Sequence, residues 1–232
     1  MKEPKNISQG GLDDMRELFI KQLEDLEYAL SQMGEAIVEA IRETVMALRE
    51  LDKEKAEKLI EGDAAIDHME KEIESKCLRL LLQQTPVAGD LRKVSAALKM
   101  ITDLERIGDH ASDISEIILS QKGTVESEAL YQIQKMADIT SKMVQKSIQA
   151  YRSQNIDEAS EISEMDDTID ELFIQVKELI GSQIATSKEK GMEELDLFMI
   201  AKYFERIGDH AENIGEWVVF SINGKHKNER VI

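Results

Sequence analysis

The chain has 232 residues, 42% of them hydrophobic but only 4% aromatic, so a sizeable core is within reach and has to be built from Leu, Ile, Ala and Met. A net charge of −18, from 29 basic and 47 acidic residues, repels phosphodiester backbones and argues against nucleic acid as a partner. The lone Cys77 excludes an intramolecular disulfide and fits a reducing compartment. MKEPKNISQGG has no apolar signal core, and no run approaches the ~20 apolar residues that span a bilayer. A cytoplasmic protein without membrane insertion is expected.

Only Pro4 and Pro86 interrupt the chain as prolines, which leaves long stretches free for helix. The first predicted helix covers about 12–50. Its seam, Leu23, Leu26, Leu30, Met33, Ile37, Ala40, Thr44, Ala47 and Leu51, steps by threes and fours. Glu24, Asp25, Glu35, Arg42 and Glu43 between them read as a solvated face. A turn at Leu51–Lys53 leads into a second helix, 53–84. The stretch Thr85-Pro86-Val87-Ala88-Gly89 is a clear break, because the residue before proline avoids helix. Helices three to six follow at 89–121, 125–153, 156–186 and 192–222, with turns around Gly123, Gln154 and 186–191. The tail from Asn223 is expected to fray. Six long helices with short turns predict an all-α protein of antiparallel neighbours.

ERIGDHA occurs twice, at 105–111 in helix three and at 205–211 in helix six. The chain is therefore an internal duplication of a three-helix unit, predicted as one bundle over 1–122 and a second over 123–232. Each repeat carries an acid four residues before an Asp: Glu105 with Asp109, and Glu205 with Asp209. Residues i and i+4 share a helix face. Asp113 extends the first stripe by a turn; its counterpart, Asn213, keeps an oxygen but loses the charge. Upstream, GDAAIDHME supplies Asp63 and Asp67, and EMDDTIDEL supplies Asp166 and Asp170.

Asp67 with Glu105, and Asp63 with Asp109, are both centred on Pro86. An antiparallel hairpin about that proline sets each pair at one level. Asp170 with Glu205, and Asp166 with Asp209, are centred between positions 187 and 188 in the next such turn. Each hairpin thus gathers four carboxylates. At ~6 Å and an effective dielectric of ~20, each like-charged pair costs roughly 3 kcal/mol, so protons or cations must neutralise some of them. Oxygen-rich sites of this kind suit magnesium, calcium, manganese or iron. A lone ExxxD in so acidic a chain would read as a solvated face paired with Arg106, Arg206 or a lysine; four of them, matched twice, favour the metal reading.

Gly108 and Gly208 lie inside these helices, where glycine costs ~1 kcal/mol, so close approach of a backbone or a ligand, or tight helix packing, has to explain them. His68, His110 and His210 follow three of the Asp residues but point ~100° away, leaving ligand, supporting partner and rim residue open. Cys77 reads as a small apolar filler. No P-loop, GxSxG or Cys-x-x-Cys is present, and no Glu-x-x-His pair flanks the acids.

LRLLLQQTPVAGDLRKVSAALKMITDLERIGDHASDI at 78–114 and KYFERIGDHAENI at 202–214 resemble the PhoU family of bacterial phosphate-signalling proteins. The resemblance implies two three-helix bundles, each with a multinuclear metal cluster. It points to iron, with zinc, manganese, magnesium and calcium as alternatives. It places the ligands at Asp63, Asp67, Glu105 and Asp109, and at Asp166, Asp170, Glu205 and Asp209, with Asp113 and Asn213 as outer positions. It further implies a regulatory adaptor that partners the ATPase subunit of the phosphate transporter and a phosphate-sensing histidine kinase, peripheral at the membrane through them, with a homodimer open. Members restrain the phosphate-starvation response when phosphate is plentiful. The alternatives are a carboxylate-bridged metalloenzyme, an oxidase or hydrolase, and an inert helical scaffold.

Overall fold

A computed structural model describes residues 9–83, 87–121, 127–186, 189, 191–227 and 229–230. Six helices are present among them: α1 (Gln9–Glu50), α2 (Lys53–Gln83), α3 (Ala88–Ser120), α4 (Glu128–Ser153), α5 (Ile156–Thr186) and α6 (Gly191–Asn223). The predicted turn at Pro86 and the predicted boundary at 122–123 lie outside the described residues, as do 187, 188 and 190 of the last turn.

The two copies turn alike. Leu51 (φ 51) and Gln154 (φ 53) take left-handed conformations after α1 and α4. The next residue then caps the following helix: Asp52 Oδ1 accepts from the Lys55 N–H at 3.0 Å, and Asn155 Oδ1 from the Asp157 N–H at 3.0 Å. The α1 seam is buried as its spacing predicts, with Leu26, Leu30, Met33 and Ile37 at 0% exposure; only Ala40 and Leu51 remain half-exposed.

Helix α1 packs on α2, α3 and α4; α6 packs on α3, α4 and α5; α2 also packs on α3 and α5 on α4. The helices α1, α3, α6 and α4 therefore form a square, joined along its edges and not across its diagonals. Helix α2 covers the α1/α3 edge and α5 covers the α4/α6 edge. The α3/α6 and α1/α4 edges, where the two bundles meet, face away from each other and carry no covering helix. Both are antiparallel: Asp103 meets His210 while His110 meets Tyr203 on α3/α6, and Gly34 meets Ile148 while Arg49 meets Asp138 on α1/α4. A local twofold relates the copies, and one aliphatic core runs through both.

The tail does not fray as expected. Gly224 (φ 76) ends α6 with its N–H on the Phe220 carbonyl at 2.9 Å. A short antiparallel hairpin follows, β1 (Lys225–His226) with β2 (Glu229–Arg230). The His226 ring stacks on Trp217 at 3.9 Å. Glu216 draws His226 and Lys227 to 3.6 and 3.4 Å. An aromatic stack with an acidic anchor holds what composition alone leaves free.

Two glycines separate close packing from mere permissiveness. A Cβ at Gly34 would overlap Cγ1 of Ile148 across the α1/α4 edge, whereas a Cβ at Gly62 on α2 meets nothing within 4 Å. Gly34→Ala is expected to lower stability by about 1–3 kcal/mol, read as a lower urea midpoint at constant m. Gly62→Ala should raise it by about 0.5–1 kcal/mol. Equal effects would remove the close α1/α4 approach as the reason for Gly34.

Candidate metal centre

Helices α2 and α3 bring Asp63, Asp67 and Asp109 together: one carboxylate oxygen from each lies within 4.8 Å of the other two, and all three residues are half-buried. The level matching about Pro86 thus holds for Asp63 and Asp109. Burial raises the Asp63 carboxyl above its ordinary range, and the charges of Asp109, Asp67 and Asp113 add to the rise. Glu105 is raised by burial and then by Asp109, with Glu70 and Asp67 contributing and Arg106 opposing. Arg106 lies 3.5 Å from Glu105 and 3.1 Å from Asp109, so the pairing expected of a solvated face coexists with the cluster. Asp113 sits at its margin, 3.4 Å from His110 Nδ1.

The second bundle is built alike but is looser. Asp166 is pushed up to about 7, by burial first and then by Glu212, Asp209, Asp170 and Asp167. Asp209 is raised by burial and Glu205, against Lys202 and Arg206; Asp170 is raised by burial, Glu205 and Asp167, against Lys202. Lys202 forms an ion pair with Glu205. Among the described residues no three acids of this bundle converge as tightly as Asp63, Asp67 and Asp109. Asn213 is half-buried on α6. The charge that Asp113 supplies in the first copy comes here from Glu212, held by the Ser163 hydroxyl at 2.7 Å.

Glu70 and Glu212 are the site residues that the repeat did not reveal. Each lies three positions after a motif Asp, so a full helical wheel rather than a fixed i, i+4 rule would have found them. The glycines resolve toward packing. A Cβ at Gly108 would stand 3.1 Å from Ile66 and 3.2 Å from Ile37, and one at Gly208 would stand 2.8 Å from Asp166 Oδ1. The notch in α6 therefore also seats a site carboxylate. The histidines diverge. His68 is exposed beside Glu72, while His110 and His210 meet on the local twofold with rings 5.7 Å apart. His210 Nδ1 lies 2.8 Å from Asp103 Oδ1, so this pair joins α3 to α6. Cys77 is a buried filler, its thiol pushed up to about 12 by burial.

All donors in both sets are oxygens, and the carboxyls are destabilised as anions by burial and by one another. That fits hard cations, which bind as protons leave. For Asp166 the sign is unusual. Its native value of about 7 exceeds its ordinary 3.8, so folding favours the protonated form. The cost of its charge is absent below pH ~4 and complete above pH ~7. In chelator-treated protein, Asp166→Asn should raise stability by about 1–2 kcal/mol at pH 8, solvent screening of a half-exposed group included, and should gain nothing at pH 4. Thermal unfolding in EDTA at both pH values checks this; an equal gain at both would remove the buried charge as the cause.

The arrangement recurs in known proteins. A family model described as the PhoU domain matches twice, over residues 30–118 and 133–218. A phosphate-specific transport system accessory protein PhoU homolog of Clostridium acetobutylicum is 36% identical over 211 residues, covering 90% of this chain and 96% of its own. A homolog of the same description from Methanothermobacter thermautotrophicus is 34% identical over 89% of this chain and 95% of its own. The crystal structure of PhoU from Pseudomonas aeruginosa superposes with a TM-score of 0.85 at 29% identity, over 89% of this chain and all of that one. That of the phosphate transport system regulatory protein PhoU from Streptococcus pneumoniae gives 0.82 at 28% identity, over 90% and 98%. With two matched domains in one all-helical chain, this protein belongs to the PhoU family.

Proposed function

We propose that this chain is a metal-loaded accessory protein of a phosphate transport system. In this reading it is a cytoplasmic adaptor that associates with the transporter's ATPase subunit and with a phosphate-sensing histidine kinase, and it holds the phosphate-starvation response off when phosphate is plentiful. The relatives' descriptions as accessory and regulatory proteins of phosphate transport support the setting. Among the described residues no helix is long and apolar enough to cross a membrane, which suits an adaptor docked on membrane proteins. The observation that carries the metal part is the convergence of Asp63, Asp67 and Asp109.

In the first bundle Asp63, Asp67, Glu105, Asp109 and Asp113 would hold the cations. In the second, Asp166, Asp170, Glu205 and Asp209 would do so, with Glu212 and Asn213 at the margin. A bound cluster, iron by the family resemblance, supplies positive charge there. With that charge in place the carboxylates can all ionise, α2 is drawn to α3 and α5 to α6, and the acidic surface becomes a defined docking face. The acids lie half-exposed along open helix pairs, a placement better suited to presenting a surface than to enclosing a substrate, which favours an adaptor over a metalloenzyme.

Elemental analysis of gently purified protein tests the sites. Several equivalents of metal are expected, cut by about half in Asp67→Asn/Glu105→Gln because the two bundles load independently. Loss from both bundles, or from neither, sinks the ligand assignment. For the regulatory part, deleting the gene should switch on a phosphate-starvation reporter in phosphate-rich medium, and the wild-type chain should silence it again. A reporter that stays silent in the deletion strain would overturn the regulatory reading.

A further inference from the structure

The uncovered α1/α4 edge of the square is grooved. A cavity of about 750 Å³ runs between Glu35–Arg42 on α1 and Gln145–Ser153 on α4. It shares Arg42 and Gln145 with a second hollow of about 490 Å³ toward Arg49, and Glu35 and Arg152 with a third of about 320 Å³ toward Glu24. The three are one channel. From Glu24 to Arg49 it follows α1 for roughly 37 Å at 1.5 Å per residue. Its floor is apolar: Val38, Val45 and Ile148, with Met46 at 41% exposure on the wall.

Its charge is opposite in trend to the rest of the chain. The two larger hollows are lined by four cations against three carboxylates, in a protein of net charge −18. Arg49 is satisfied by Asp138 at 3.6 Å and Arg42 by Glu39 at 3.8 Å. Lys142 and Arg152 are exposed, and among the described residues neither has an ion pair. At physiological salt the Debye length is about 8 Å, so the carboxylates of α2, α3, α5 and α6 are screened and these local cations set what the groove attracts.

We infer that the α1/α4 groove docks one amphipathic helix of a protein partner, with an aliphatic stripe against Val38, Val45 and Ile148 and carboxylates reaching Lys142 and Arg152. A trough between two antiparallel helices accepts a third helix ridge-into-groove. Anionic lipid and nucleic acid are repelled by the chain as a whole, and two copies meeting groove to groove would leave two concave surfaces unfilled. The inference deepens the adaptor reading and rests on it: it gives the transport partner a surface distinct from the metal faces.

The test uses two fluorescent 21-residue model helices of Leu and Ala, one flanked by Glu and one by Lys, and the full chain. Saturable binding of the Glu helix is expected, with the Lys helix at least tenfold weaker. Lys142→Glu/Arg152→Glu should weaken the Glu helix at least tenfold, while Arg79→Glu/Lys177→Glu, the same charge change away from the groove, should stay within twofold. The same variants are assayed against the transporter's ATPase subunit. Absence of saturable binding, equal binding of both helices, or indifference to the groove variant overturns the proposal. So does a self-association that the groove variant abolishes, which would make a second copy the occupant. ATPase-subunit binding that ignores the groove variant sinks the groove and leaves the adaptor reading standing; groove-dependent helix binding without any ATPase-subunit binding does the reverse.

Discussion

Repulsion between half-buried carboxylates is the constraint around which this molecule is arranged. Asp63, Asp67 and Asp109 crowd one another on α2 and α3, and Asp166 meets Asp170, Asp209 and Glu212 on α5 and α6. Left alone, such groups would push their helices apart. They stay together because the aliphatic layer beneath them is tight: Ile66 and Ile37 close on Gly108, and Ile169 on Gly208. Deleting a Cβ from the middle of each motif helix costs ~1 kcal/mol of helix propensity, and the return is an approach close enough to concentrate negative charge. The glycine and the acids of ERIGDHA are thus parts of one device, which explains why the motif recurs whole.

Duplication places the two devices about a local twofold, and the chain then breaks the symmetry chemically. Position 103 is Asp and position 203 is Tyr, so His210 finds a carboxylate at 2.8 Å while His110 finds a ring at 5.4 Å. Asp113 becomes Asn213 and Ser112 becomes Glu212, moving the marginal charge by one residue around the helix. Lys202 claims Glu205 in the second copy, while Arg106 bridges Glu105 and Asp109 in the first. The tail hairpin packs on Trp217, which has only Ile117 opposite it. Equivalent backbones therefore present inequivalent acidic faces, and a partner can tell one bundle from the other.

What the chain disclosed in advance follows from which forces are local. The α1 seam was legible because burial of Leu26, Leu30, Met33 and Ile37 is dictated by a 3.6-residue period. The pairing of Asp63 with Asp109 was legible because a short turn at a proline leaves an antiparallel hairpin one register. Glu70 and Glu212 escaped an i, i+4 rule although they share the motif's face at i+3. The meeting of His110 with His210 was not legible: a wheel shows that each points away from its Asp, but not that the other bundle stands there. The hairpin after Asn223 escaped because two-residue strands have no periodicity, and its hold comes from a Trp–His stack formed only after α6 folds.

The square of α1, α3, α6 and α4 leaves two edges open, and charge divides them. Around α3/α6 lie Asp103, Asp113 and Glu116, enough negative potential, after burial, to help raise the Tyr203 hydroxyl. Along α1/α4 the cations gather instead. A chain of −18 with an even surface would repel any acidic partner from every side. Confining the acids to the helices that hold the carboxylate clusters, and the cations to the pair that holds none, makes one face responsive to cations and leaves the other free to engage protein. Because α1 packs on both α2 and α3, and α4 on both α5 and α6, the helices that wall the groove are the same ones on which the clusters rest. Any change in spacing between α2 and α3 must be accommodated by α1, and therefore by the groove, without a hinge or a mobile loop between them.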